Sequence, residues 1–170
     1  CGYFSNIAGT HRDYLARVSL TGTGAADTQW TPETNRPVST LESDAGHIYT
    51  GGRFESANGS ARRSLVRFSA AAGEDVLDTA WYPDLDGEPS ALLLAGSSLY
   101  ASGVFMNAGA TPRFFMAKLS TGGGGTVDAS FIPNPNGAVL DMKMVGGAVL
   151  AGGRFTTTVG ASSGGFALMD

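Results

Sequence analysis

Apolar and polar residues alternate with a period of two over several short stretches of the chain, and none holds a helical period for more than a few residues. Ile48, Thr50, Gly52 and Phe54 fall on one face of an extended segment, and Leu99, Ala101, Gly103 and Phe105 repeat the arrangement. In Leu15-Ala16-Arg17-Val18, Leu65-Val66-Arg67-Phe68, Met116-Ala117-Lys118-Leu119 and Phe166-Ala167-Leu168-Met169, adjacent apolar residues point to opposite faces. Such a strand is covered on both sides, as when sheets stack on one another. The pattern predicts an all-β chain.

These stretches are copies of one unit. Thr50-Gly51-Gly52-Arg53-Phe54 recurs as Ala101-Ser102-Gly103-Val104-Phe105 and Ala151-Gly152-Gly153-Arg154-Phe155, with Cys1-Gly2-Tyr3-Phe4 a shortened first copy. The anchors Phe4, Phe54, Phe105 and Phe155 lie 50, 51 and 50 residues apart. A second motif keeps step: Asp27-Thr28-Gln29-Trp30-Thr31-Pro32, Asp78-Thr79-Ala80-Trp81-Tyr82-Pro83 and Asp128-Ala129-Ser130-Phe131-Ile132-Pro133. Trp30, Trp81 and Phe131 each precede the next anchor by 24 residues, so the extra residue lies between Arg67 and Trp81, in a loop. The units run approximately 1–37, 38–88, 89–138 and 139–170 of a single segment, 1–170.

Each period reads as four short strands. The first is an apolar stretch (Val38–Leu41, Ser90–Leu94, Val139–Met144), the second runs into the anchor, and the third holds the two-faced tetrapeptide. The fourth, at the Asp-x-x-Trp/Phe motif, ends at proline as an edge strand does. The Gly pair is expected where a neighbouring sheet presses close. Four strands in about fifty residues is the size of a β-propeller blade, whereas one-strand-per-turn solenoids repeat at about 20–30 residues. The expected fold is a β-propeller of four-stranded antiparallel blades, with about three and a half blades in this chain. The alternative is an open stack of sheets. A propeller closes with about four to eight blades, so the chain reads as part of a larger propeller, or as an arc completed by a second chain. Cys1, in a slot that otherwise holds Gly or Ser, fits the interior of a longer array better than a lipid-bearing terminus.

Gly-Gly-x-Phe followed by Asn58-Gly59, Arg62, Leu65-Val66-Arg67, Asp78-x-x-Trp81-x-Pro83, Ala91-Leu92 and Leu99-Tyr100 resembles the delta-60 repeat, a bacterial β-propeller repeat. It is similar, more loosely, to fungal cortical-marker and kelch-like propellers. The resemblance covers essentially the whole chain. Cys1 and Ser102 depart from it in a glycine slot, Phe131 in the Trp slot and Leu168 in the basic slot. It implies a propeller within a large secreted or cell-surface protein and no settled enzymatic activity.

Composition narrows the functional classes. The 170 residues include 25 Gly and 7 Pro, a turn-rich share, while 42% hydrophobic content suffices for a packed core. A net charge of −4, with nine Arg and two Lys spread along the chain, argues against a nucleic-acid partner. No apolar run reaches the about 18–20 residues of a helical membrane span. The lone Cys1 permits no internal disulfide and no C-x-x-C metal site.

Candidate chemistry is sparse. His11 and His47 do not recur and have no evident Ser or Asp partner in a triad, so no catalytic residue is nominated. Asp27, Asp78 and Asp128 recur once per unit, too dispersed for a glycosidase pair; they read as acceptors that fix turns. Arg12, Arg62 and Arg113 read as bridges from loops to carbonyls or carboxylates of the same unit. Gly122–Gly125 is followed by neither Lys-Ser/Thr nor a helix, and reads as a loop rather than a phosphate cradle. Asp84-Leu85-Asp86-Gly87-Glu88 resembles the front of a calcium loop. The slot is filled by Asn134-Pro135-Asn136-Gly137 and Glu33-Thr34-Asn35-Arg36 in other units, so a turn is the preferred reading, with no cofactor and no metal ligand expected.

The loops after the second and fourth strands are expected on one rim, presenting Asn6, His11, Asn58, Arg63, Asp84, Asp86 and Asn107 as candidate binding residues. The expected function is a non-catalytic extracellular or cell-surface scaffold or protein-interaction module. Its partners would be another protein, further blades of the same protein, or copies of itself. The alternative is a lectin-like glycan-binding propeller.

Overall fold

In the computed structural model, which describes residues 1–71 and 76–169, the chain is all-β. Among the described residues there is no helix, and so none long and apolar enough to cross a membrane. The main elements are three antiparallel sheets of three strands each, with the second strand in the middle. The first sheet comprises Val38–Ser43, His47–Gly52 and Leu65–Ser69. The second comprises Glu88–Ala95, Ser98–Val104 and Met116–Ser120, and the third Val139–Val145, Ala148–Gly153 and Phe166–Met169. The strands are short because a turn closes each hairpin. In the first sheet the Asp44 carboxylate accepts the N–H groups of Gly46 and His47, at 2.8 and 2.7 Å.

The stretch between second and third strands folds further than the sequence indicated. It forms a two-residue hairpin in each unit: Asn6–Ile7 with Thr10–His11, Ser56–Ala57 with Ser60–Ala61, Asn107–Ala108 with Thr111–Pro112, and Thr157–Thr158 with Ala161–Ser162. In Asn58-Gly59 both turn residues have positive φ (43° and 70°), as a type I′ hairpin turn requires. The segment expected as a fourth strand is instead a single bridging pair next to the third strand: Val18 with Ala26, Phe68 with Leu77, and Leu119 with Val127. Pairing stops there because the aspartate that follows turns the chain. The first unit has no three-stranded sheet. Cys1–Phe4 lies outside any strand, and the Gly2 N–H to Tyr14 carbonyl bond (3.0 Å) matches that of Gly52 to Ser64 (2.9 Å). The extra residue expected between Arg67 and Trp81 shares its interval with residues 72–75, which lie outside the described residues.

The two positions of the glycine pair have different causes. A Cβ at Gly51 would meet the Pro89 ring of the next sheet at 2.5 Å, as expected of close stacking. A Cβ on Gly52, Gly103 or Gly153 would instead overlap a carbonyl oxygen of its own sheet, on Pro37, Glu88 or Ala138. Each of those oxygens lies just before or within the first strand, beside a break in register at Val38/Thr40, Pro89/Ala91 or Val139/Asp141. The bulge bends that strand onto the glycine.

The sheets stack face to face, and their interfaces are the core. Leu15 and Trp30 of the first unit pack on Val66 and Phe68 of the first sheet. Tyr49, Leu65 and Trp81 pack on Leu92, Leu99 and Leu119 of the second. Met116 and Phe131 pack on Met142, Val149 and Met169 of the third. Leu65 and Val66 are each 0% exposed, so the third strand is covered on both faces. The first strands of successive sheets are neighbours: the Ser39 hydroxyl donates to the Pro89 carbonyl (3.0 Å), and the Ser90 hydroxyl to the Val139 carbonyl (2.8 Å).

Candidate functional site

The recurrent aspartates build a clamp between sheets. One oxygen of Asp78 accepts the N–H groups of Ala80 (3.0 Å) and Trp81 (3.2 Å), fixing the turn that presents the indole. The other oxygen pairs with the Arg67 guanidinium, which is 5.4 Å from the centre of the Trp81 ring. From this assembly the indole N–H donates to the Ser120 carbonyl (2.9 Å), and Arg67 donates to the adjacent Thr121 carbonyl. Ser120 ends the third strand of the next sheet and Thr121 follows it.

The first unit repeats the device. Asp27 accepts from Gln29 and Trp30, Arg17 binds Asp27 at 2.8 Å, Trp30 donates to the Ser69 carbonyl (2.8 Å) and Arg17 to that of Ala70. In the third copy Lys118 pairs with Asp128 at 2.8 Å and Phe131 stands in the Trp slot. The spacing disclosed the aspartate turns; the reach of Arg17 and Arg67 into a neighbouring sheet went unread. Arg12, Arg62 and Arg113 stay within their units, donating to the carbonyls of Asp27, Thr79 and Asp128.

The clamp gives the fold a signed pH response. The Arg17 guanidinium and the Gln29 N–H hold the Asp27 carboxyl below its ordinary value. Burial pushes the Asp78 carboxyl up, but Arg67 and the N–H groups of Ala80 and Trp81 together outweigh it and leave it lowered. Lys118 and Ser130 lower Asp128 well below the usual range. Groups depressed in the folded state contribute stability that is complete above their unfolded pKa, about 3.9, and is lost as pH falls through the folded value. The urea midpoint should therefore stay level from about pH 7 to pH 5 and fall progressively below about pH 4. In Asp78→Asn it should be lower at neutral pH and fall less in acid. A midpoint unchanged down to about pH 2.5 would contradict the assignment.

The candidate binding residues lie on loops that meet at one end of the sheets, where Thr34 bridges to Ala57 and Leu85 to Ala108. Asp86 accepts the N–H groups of Met106 (2.8 Å) and Asn107 (2.9 Å), and its second oxygen accepts the Asn107 side-chain amide (2.7 Å). Asn35 and Asn136 do the same for Glu55–Ser56 and Thr156–Thr157. Asn58 accepts the Glu33 N–H at 2.8 Å. Arg63 pairs with Asp84 at 2.6 Å, and Tyr82 donates to the same carboxylate at 2.8 Å. Asn6 and His11 sit on the first hairpin, where the Asn6 amide contacts the Ser5 hydroxyl (3.4 Å) and the His11 Nδ1 lies 2.7 Å from the Ser5 carbonyl.

The structure thus joins Arg63 to Asp84 and Asp86 to Asn107, sets Asn6 opposite His11 on the first hairpin, and leaves Asn58 apart from these pairs. His47 lies 3.1 Å from Asp44 at a turn. Beside the Arg63 pair, an open cleft of about 570 Å³ separates the first two sheets, lined by Arg36, Arg53, Glu55, Arg63, Asp86 and Glu88. Arg36 pairs with Glu55 (3.3 Å) and Arg53 with Glu88 (2.5 Å), so the cleft carries both signs of charge. Among the described residues no three His, Cys, Asp or Glu side chains converge as a metal site. Searches for relatives found no match to a family model, to a curated protein or to a solved structure.

Proposed function

We propose that the chain is a segment of a β-propeller, about three and a half blades of the kind the delta-60 resemblance implies, and that it serves as a non-catalytic scaffold or protein-interaction module outside the cell or on its surface. Each blade would be one three-stranded sheet with the single bridging pair as a vestigial fourth strand. The adjacency of successive first strands supports this reading, since in a propeller those strands line the axis.

The observation that carries the scaffold reading is the clamp. The charged side chains repeated in register, Arg17, Arg67 and Lys118 with their aspartates and Arg12, Arg62 and Arg113 with backbone carbonyls, are spent joining sheets or fixing turns and loops. The rim carboxylates of Asp84 and Asp86 are likewise engaged by Arg63, Tyr82 and the Asn107 backbone. The lectin-like reading is favoured by one feature, the open charged cleft at Arg36, Arg53 and Arg63.

A glycan array probed with and without calcium separates the two. The scaffold reading expects no saturable binding in either condition. Binding that Arg63→Ala abolishes would overturn it in favour of glycan recognition.

A further inference from the structure

Three ion pairs stand at the charged cleft between the first two sheets: Arg36–Glu55, Arg53–Glu88 and Arg63–Asp84. One unit further along the chain, the same slots hold Gly87 and Met106, Val104 and Ala138, and Phe114 and Asn134. Every pair has lost both charges, and three of the replacements are large apolar side chains. Val104 is 63% exposed, Met106 55% and Phe114 42%. They end or follow the middle strand of the second sheet, which has a sheet stacked on each side, so the stacking of sheets does not cover them.

These residues continue the cleft. Asp86 and Val104 line both the cleft and an adjoining hollow of about 270 Å³, completed by Phe105, Met106 and Phe115. The hollow is smaller than the about 300–1,000 Å³ of a small-molecule site, and has room for one large apolar side chain. On the charged side the two signs are not equally open to solvent. The Arg53 side chain is 71% exposed and its partner Glu88 26%, and Arg63 is 49% exposed against 32% for Asp84. In both pairs the guanidinium is the open member and the carboxylate is recessed, while Arg36 and Glu55 are both exposed.

We infer that this surface docks an extended segment of a partner protein, which sets an acidic side chain against Arg53 and Arg63 and, beside it, a large apolar side chain in the hollow at Val104 and Met106. Complementary charge fixes the register of the segment, and burial of its apolar side chain supplies most of the affinity. The existing ion pairs leave the site open, because Glu88 and Asp84 engage only part of the five N–H donors on each guanidinium. The inference rests on the protein-interaction reading and adds the chemistry of the partner and the surface that receives it.

Selection of random peptides displayed on phage against the folded chain, followed by fluorescence titration of the recovered peptides, tests it. Recovered sequences should place Asp or Glu within a few residues of Phe, Leu or Met, and should bind less tightly as salt is raised. Arg53→Glu, which opposes the acidic side chain, and Met106→Glu, which puts a charge in the hollow, should each weaken binding about tenfold or more. Val104→Arg with Ala138→Glu installs the Arg53–Glu88 pair in the equivalent slots and should do the same; it serves if Met106→Glu misfolds by circular dichroism. No enrichment, recovered motifs that are basic, or binding indifferent to these variants would overturn the inference. So would self-association that Met106→Glu abolishes, which would seat a second copy of the chain there instead. None of these results touches the scaffold reading, which fails only on glycan binding.

Discussion

Trp81→Ala should lower the unfolding free energy by about 3–5 kcal/mol, the range for a large aromatic removed from a packed core. The indole is fully buried at the interface of the first two sheets, edge-on to the Tyr49 ring at 5.3 Å and beside the Arg67 guanidinium. Truncation opens a cavity between sheets, strips the Ser120 carbonyl of its donor and removes the surface on which Arg67 lies. Trp81→Phe installs the residue the chain itself uses at Phe131. It keeps most of the volume but no N–H, so the expected cost is about 1–2 kcal/mol, that of a buried carbonyl left unpaired.

Urea unfolding followed by circular dichroism gives both numbers, and a loss below about 1.5 kcal/mol for the alanine variant would remove the clamp from the account of stability. Arg67→Met should be non-additive with Trp81→Phe, because the two side chains grip consecutive carbonyls of the same neighbouring sheet.

How much of this could be read beforehand depends on whether a residue's task is local. Asp78 announced its turn because an aspartate two and three residues before the N–H groups it accepts is a short-range arrangement. Arg67 kept its spacing too, but its acceptor is 54 residues away, and only the stacking of sheets reveals it. The rim residues were legible as loop residues and illegible as structural ones. Asn35, Asp86 and Asn136 tie the loop before the first strand to the hairpin after the second, a contact that needs both loops in place.

The fourth strand was expected from periodicity, yet pairing ends after one bridge because the side-chain turn at Asp27, Asp78 or Asp128 starts at once. Least visible was the left-handed backbone of Tyr14, Ser64 and Phe115, with φ of 64°, 64° and 61°. Each is the centre of a three-residue turn closed by an N–H···O=C bond, such as Leu65 to Arg63 at 2.7 Å, and none is a glycine that would have signalled it.

Gly52→Ala should be as damaging as a large core truncation, about 3 kcal/mol, although it adds only a methyl group. Its Cβ would overlap the Pro37 carbonyl oxygen and lie 3.0 Å from the Val38 Cα, and both atoms belong to backbone held by the bulge and by the sheet ladder. No rotamer change relieves that overlap. The neighbouring Gly51 offers the contrast. A Cβ there would meet side chains only, the Pro89 ring at 2.5 Å and the Thr40 methyl at 2.8 Å. The second sheet carries Ser102 in the equivalent slot, fully buried, with Ala91 and Val139 where Thr40 and Pro89 would stand. Shortening the neighbour is what lets a side chain in.

Gly51→Ser should therefore cost about 1–2 kcal/mol alone, and Thr40→Ala in the same chain should recover most of it. Thr40→Ala should give no recovery to Gly52→Ala, because the obstacle there is the main chain. Urea midpoints of the four variants decide the matter: equal rescue of both glycine substitutions would mean that side-chain packing, and not the bulged first strand, reserves these positions for glycine.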